Sequence, residues 1–130
     1  MEGGMNSQSV IPGYAGGTIS TDTDTTGGIT VDTQGYDTVA FALYAGTRTD
    51  GSYLLKIMET DNADGTTGAT EVAAYNVQQT LIASNTVKKV EAKPSKRFAR
   101  LRVTSTAVTS GCVMKGAVAV LSKARNNPVS

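Results

Sequence analysis

The sequence predicts an all-β fold, a jelly-roll-like β-sandwich of about eight strands with an extended N-terminal arm. Three observations point there. The apolar set is Val, Ala, Ile and Leu with two Phe and no Trp, interleaved with Thr and Ser, and 14 Gly punctuate it. Such β-branched, turn-rich composition favours strands over helices. Several stretches alternate with period two, and the turn signals between them recur at the short spacing of sandwiches and barrels. At 130 residues one core is expected, burying roughly two thirds of the unfolded surface.

Residues 1–17 carry Gly3-Gly4, then Pro12-Gly13 and Gly16-Gly17, with Val10, Ile11 and Tyr14 as their main apolar groups. They read as an extended arm, because so little apolar surface does not offset the entropy of ordering it alone. The sandwich follows over 18–122, and 123–130 form a polar tail. In the polar turn TDTDTTGG, Asp22 and Asp24 lack the apolar cover that would raise a carboxyl pKa, so a solvated turn is expected.

Residues 36–59 look like the organising element, two long strands folded back on each other. Val39, Phe41 and Leu43 fall on one face and Ala40, Ala42 and Tyr44 on the other, which suggests a central strand covered on both sides. Asp50-Gly51 supplies the positive φ of a hairpin turn. On the return, Tyr53, Leu55 and Ile57 form the core face, because Lys56 resists unpaired burial.

The next loop, TDNADGTTGATE, imitates a calcium loop: with Gly65 at the sixth position, Asn62, Asp64 and Glu71 fall third, fifth and twelfth. Thr60 stands at the first position and the flanks are strand-like, so a Gly-rich turn is expected instead. Residues 71–84 fit neither period and admit a short helix. In KRFARLRVTS, Ala99, Leu101 and Val103 face one way and Phe98, Arg100 and Arg102 the other. With Lys96 and Arg97, this is the densest basic cluster in the chain. The last strand, VMKGAVAVL, is apolar on both faces and belongs inside a sheet.

Function classes narrow by exclusion. Lys plus Arg is 12 and Asp plus Glu is 11, so no global field steers polyanions or membranes. No His is present, which removes imidazole-based catalysis, and the lone Cys112 reads as a small apolar residue. No enzyme, cofactor, metal, nucleic-acid or membrane partner is expected. The opening residues lack a basic-then-apolar leader pattern, so the chain is expected to act without export.

Two blocks carry a resemblance. Residues 31–65, with VDTQGYDTVAFALYAGTRTDGSY before METDNADG, and residues 85–129, with NTVKKV, SKRFARLRVT, GAVAVL and a closing NPV, resemble the decoration or cement proteins of tailed bacteriophages. The tail departs from that pattern, having Lys123-Ala124-Arg125-Asn126-Asn127 where members often carry His/Pro-rich residues. The resemblance implies a virion protein, assembled in the host bacterial cytoplasm. It would bind the outer surface of an icosahedral capsid, bridge neighbouring copies of the major capsid protein, and form a homodimer or homotrimer at symmetry axes. Its contacts would be Val10, Ile11 and Tyr14 from the arm and Lys96, Arg97, Arg100 and Arg102 from the basic strand, whose Arg forks suit an acidic surface. A phage neck or tail component and a carbohydrate-binding jelly roll for host adhesion are the alternatives.

Overall fold

The computed structural model describes residues 8–22, 24–25 (backbone only), 28–73 and 78–123. Among them every regular element is a strand. One antiparallel sheet, sheet A, runs in the order β1 (Gln8–Tyr14), β11 (Cys112–Ser122), β5 (Thr38–Arg48), β9 (Thr86–Ala92), with β2 (Gly17–Ile19) also on β11. The other, sheet B, runs β3 (Asp24–Thr25), β10 (Phe98–Thr106), β6 (Ser52–Thr60), β7 (Thr70–Glu71), with β4 (Val31–Asp32) also on β10 and β8 (Gln78–Leu81) also on β6. The two sheets form a β-sandwich.

Three edges are each made of two short pieces. β1 and β2 lie end to end along β11, β3 and β4 along β10, and β7 and β8 along β6. Counting each broken edge as one strand, the eleven pieces reduce to eight. Their order is then 1-8-3-6 in sheet A and 2-7-4-5 in sheet B. Among the described residues only β9 forms its edge as a single strand.

The core follows from alternation. Val39, Phe41 and Leu43 of β5, Tyr53, Leu55 and Ile57 of β6, and Ala99, Leu101 and Val103 of β10 are all essentially inaccessible, as their spacing predicts. Alternation fails in β11. Met114 and Ala117 are both buried although they lie three positions apart, because the register against β5 shifts between Met114 and Gly116. Gly116 sits at φ 126, which an L side chain rarely adopts, and the extra residue of this bulge moves the inward set from one parity to the other. Cys112 is buried beside this region, and burial pushes its thiol pKa up.

Several sequence expectations are corrected. Residues 36–59 are not a hairpin: β5 lies in sheet A and β6 in sheet B, so Asp50-Gly51 turns a corner between layers. Gly51 does take a positive φ of 93, and a Cβ there would lie 2.6 Å from the Tyr53 hydroxyl. The corner is locked to the β10–β11 corner. Asp50 accepts backbone N–H bonds from Thr109, Ser110 and Gly111, which hold its carboxyl below the usual range, and Thr49 N–H donates to Gly111 O. Arg48 Nε donates to Gly51 O and the Tyr53 hydroxyl to Asp50 O. Two polar, Gly-containing turns thus tie the layers at one end.

Of residues 71–84, where the sequence admits a short helix, the described ones hold the end of β7 and all of β8 and no helix, because β6 offers an edge to pair with; residues 74–77 lie outside those described. Of the expected arm, residues 8–14 are an edge strand hydrogen-bonded to β11 of the same chain. Residues 1–7, and the residues after 123 on which the tail expectation rests, lie outside those described.

Candidate functional site

The two sheets turn very different outer faces to solvent. On sheet A, cross-strand partners share a face, so the register reads out its surface row by row. Val10, Val120, Ala40 and Glu91 form one row; Pro12, Val118, Ala42 and Lys89 the next; Gly116, Tyr44 and Val87 a third. Val10 is 63 % exposed, Val87 58 %, and Tyr44 and Val118 44 % each. This is a contiguous apolar surface with a shallow depression beside Tyr44, Val87, Lys115 and Val118. Contiguous exposed apolar surface of this kind marks an interaction site more often than a bare exterior.

The outer face of sheet B is charged. Arg100 stands opposite Met58, Arg102 opposite Lys56, and Phe98 opposite Asp32 on one side and Thr60 on the other. The loop of residues 61–69 folds down over it. Thr30 Oγ1 donates to Asp64 O at 3.2 Å and Arg100 Nη1 to the same carbonyl at 3.4 Å. Gly65 presses so close to Thr30 that a Cβ would lie 2.0 Å from its Oγ1. Beneath the loop is a cleft of about 150 Å³ between Met58, Gly65, Ala69 and the two arginines.

That loop is the calcium-like stretch, and its polar side chains make local hydrogen bonds. Asp64 accepts from Thr66 N–H, Thr67 N–H and the Thr67 hydroxyl, which bring its carboxyl down to about 2. Asn62 Nδ2 donates to Thr67 O. Glu71 lies on β7, where it accepts from Gln78 Nε2. The groups that the spacing would gather around one ion thus serve a turn and a strand pair. Asp22 accepts the backbone N–H of Val108 across the sandwich end; the side chain of Asp24 lies outside those described.

The predicted contact residues divide. Of the apolar trio, Val10 faces out from sheet A, Ile11 is half-buried against the core, and Tyr14 is 5 % exposed. Tyr14 therefore offers no reaching contact. Of the basic set, Arg100 and Arg102 share the outer face of sheet B, while Lys96 and Arg97 belong to the corner leading into β10. The guanidinium of Arg97 grips Asp32 with Nε–Oδ1 3.0 Å and Nη2–Oδ2 2.8 Å, and it stacks 5.0 Å from the Phe98 ring centroid. This fork draws the Asp32 carboxyl down and the guanidinium up, and it ties the end of β4 to β10. The Lys96 backbone N–H donates to buried Glu59, which also accepts from Ser95 N–H and Oγ. The basic cluster is in large part structural stitching.

The apolar face of sheet A is the feature the contact assignments missed. Its signal was present: β5 and β11 are apolar on both sides. In a sandwich only one side of a sheet meets the other sheet, so the second apolar side faces outward unless another layer covers it. No family model matches the chain, and no curated protein matches it either.

Proposed function

We propose that this chain is a structural virion protein that decorates an assembled phage capsid, docking through the outer face of sheet A. The observation that carries the reading is the open apolar surface of Val10, Tyr44, Val87 and Val118 on a sandwich cross-tied at its corners. Two further features support it. The sequence blocks of residues 31–65 and 85–129 resemble decoration proteins, and the merged strand order 1-8-3-6 against 2-7-4-5 supports reading the β-sandwich as a jelly roll. A protein repeated over a symmetric shell works by many modest contacts, for which a rigid apolar facet suffices without a cofactor or nucleophile. The partner on this reading is the major capsid protein. A sugar-binding jelly roll is less well supported, because Tyr44 is the one tyrosine prominently exposed among the described residues.

The test is cosedimentation with empty shells assembled from the major capsid protein of the same phage. Deleting residues 1–17 is unsuitable, because it removes an edge strand of the sandwich. A Tyr44→Lys/Val118→Lys double variant should weaken shell binding at least about tenfold while each change alters stability by no more than ~0.5 kcal/mol. A wild-type protein that stays in the supernatant, or a variant that binds undiminished, overturns the proposal.

A further inference from the structure

We infer that β9 is a self-pairing edge, and that two copies of this chain join sheet A to sheet A through antiparallel β9–β9 contact centred on Val90. The argument begins with the edges. Both edges of sheet B are, among the described residues, pieces of two to four residues, and β1, though also seven residues long, carries Pro12, which has no N–H, and a register shift before Tyr14. β9 runs regularly over seven residues and its outer side has no strand partner among the described residues.

The direction of its backbone groups follows from its pairing with β5. Residues of the two strands pair with a constant sum, from Val39 with Ala92 to Ala45 with Thr86. Asn85 N–H donates to Gly46 O at 2.8 Å in continuation of that register, which marks Asn85–Gly46 as a hydrogen-bonded position. In an antiparallel ladder such positions alternate. Val87, Lys89 and Glu91 therefore point their backbone groups at β5, and Thr86, Lys88, Val90 and Ala92 point theirs at the open edge.

A two-fold pairing must bring these outward groups together, and charge then selects the register. Centring on Lys88 opposes Lys88 to itself. Centring between Lys88 and Val90 opposes Lys89 to Lys89, and between Val90 and Ala92 opposes Glu91 to Glu91. Centring on Val90 instead sets Lys89 against Glu91 of the second copy, twice by symmetry, at the closely spaced non-hydrogen-bonded positions. Edge lysines ordinarily block pairing; here they oppose the registers nearest this one, while centring on Ala92, which would set Glu91 against Lys93, places Pro94, with no N–H to donate, opposite Val90. Within one chain Lys89 Nζ lies 3.7 Å from Glu91 Oε1, with both side chains more than half exposed, so the pair is free to become an alternating ring of four charges. The product is one continuous sheet with the two apolar outer faces side by side. This inference stands whether or not those faces bind a capsid.

Sedimentation equilibrium on the full chain tests it. The wild type should show a concentration-dependent dimer. Lys89→Glu and Glu91→Lys, both at exposed positions, should each weaken that dimer at least about tenfold, and the Lys89→Glu/Glu91→Lys double variant should restore it to within about threefold. A wild type that remains monomeric up to ~0.5 mM overturns the inference, as does a dimer that ignores the single reversals. Failure of the double variant to recover overturns the register.

Discussion

The outer faces of sheets A and B have the same construction and opposite chemistry. Each is four strands wide once broken edges are merged, and each backs onto the same inner layer. Sheet B presents Lys56, Arg100 and Arg102, which water would solvate readily, yet the 61–69 loop is folded over part of it. Sheet A presents Val10, Tyr44, Val87 and Val118, which gain most from cover, and among the described residues no loop lies across them. The hydrophobic effect alone would place the loop the other way. The difference teaches that, among the described residues, loop cover follows the hydrogen bonds from Thr30 and Arg100 to the Asp64 carbonyl and not the apolar surface.

The largest effects should come from the interior, where the comparison vanishes because both sheets pack into one core. Phe41 of sheet A packs over Gly13, whose Cβ, if it had one, would lie 2.7 Å from the ring, and Leu101 is its fully buried counterpart in sheet B. Phe41→Ala should cost about 3–5 kcal/mol and Leu101→Ala about 2–5 kcal/mol. Urea unfolding should show both as lower midpoints at an unchanged slope. A Phe41→Ala cost below ~1 kcal/mol would mean that sheet A is not packed as described.

A smaller change should uncover sheet B and make the two faces alike. Gly65 combines φ 75 with contact against Thr30, so Gly65→Ala both strains the turn and pushes the loop off the sheet. The expected cost is ~1–3 kcal/mol, limited because the loop can lift while the sandwich persists. Amide exchange should quicken at Thr66 and Thr67 and stay unchanged along β5 and β11. Equal loss of protection in both sheets would show that the loop is integral to the core.

How much of this was legible in the sequence depends on range. Alternation gave the inward sets of β5, β6 and β10 residue by residue, because period two is a local property of the backbone. Pairing partners are not local. Tyr53 follows Asp50-Gly51 as a hairpin strand would, and only the competition between sheets decides that β6 joins β10 instead of β5. The β11 bulge was hidden for a related reason: Gly116 permits the positive φ, but Tyr14 O sitting 3.1 Å from where its Cβ would be is a tertiary fact. Likewise the basic cluster was visible, while the capture of Arg97 by Asp32, 65 positions away, was not. The apolar face was written plainly in Ala40, Ala42, Tyr44, Val118 and Val120, and reading it as a covered side concealed the candidate site.

Acid should separate the two faces most gently. Three carboxyls are held below their ordinary range: Asp32 by Arg97, Asp50 by the β10–β11 corner, and Asp64, down to about 2, by the threonines of its own turn. Because their folded pKa values are depressed, the stability they supply is fully present above the unfolded carboxyl range near pH ~4 and is lost as pH falls through the folded values toward ~2. Asp32 and Asp64 secure strand ends and loop on the sheet B side and Asp50 the corner, whereas none of the three lies on the outer face of sheet A. Between pH ~5 and ~2.5, intrinsic-rate-corrected amide protection should therefore fall first at Thr66, Thr67 and Thr109–Gly111, whose N–H groups these carboxylates accept. Protection along β5 and β11 should persist longer. Asp64→Asn should flatten the pH response of Thr66 and Thr67 while leaving that of Thr109 in place, since the two carboxylates serve separate corners of the molecule. Simultaneous loss across both sheets would mean that acid acts on the sandwich as one cooperative unit, and that the loop over sheet B is no more detachable than the strands beneath it.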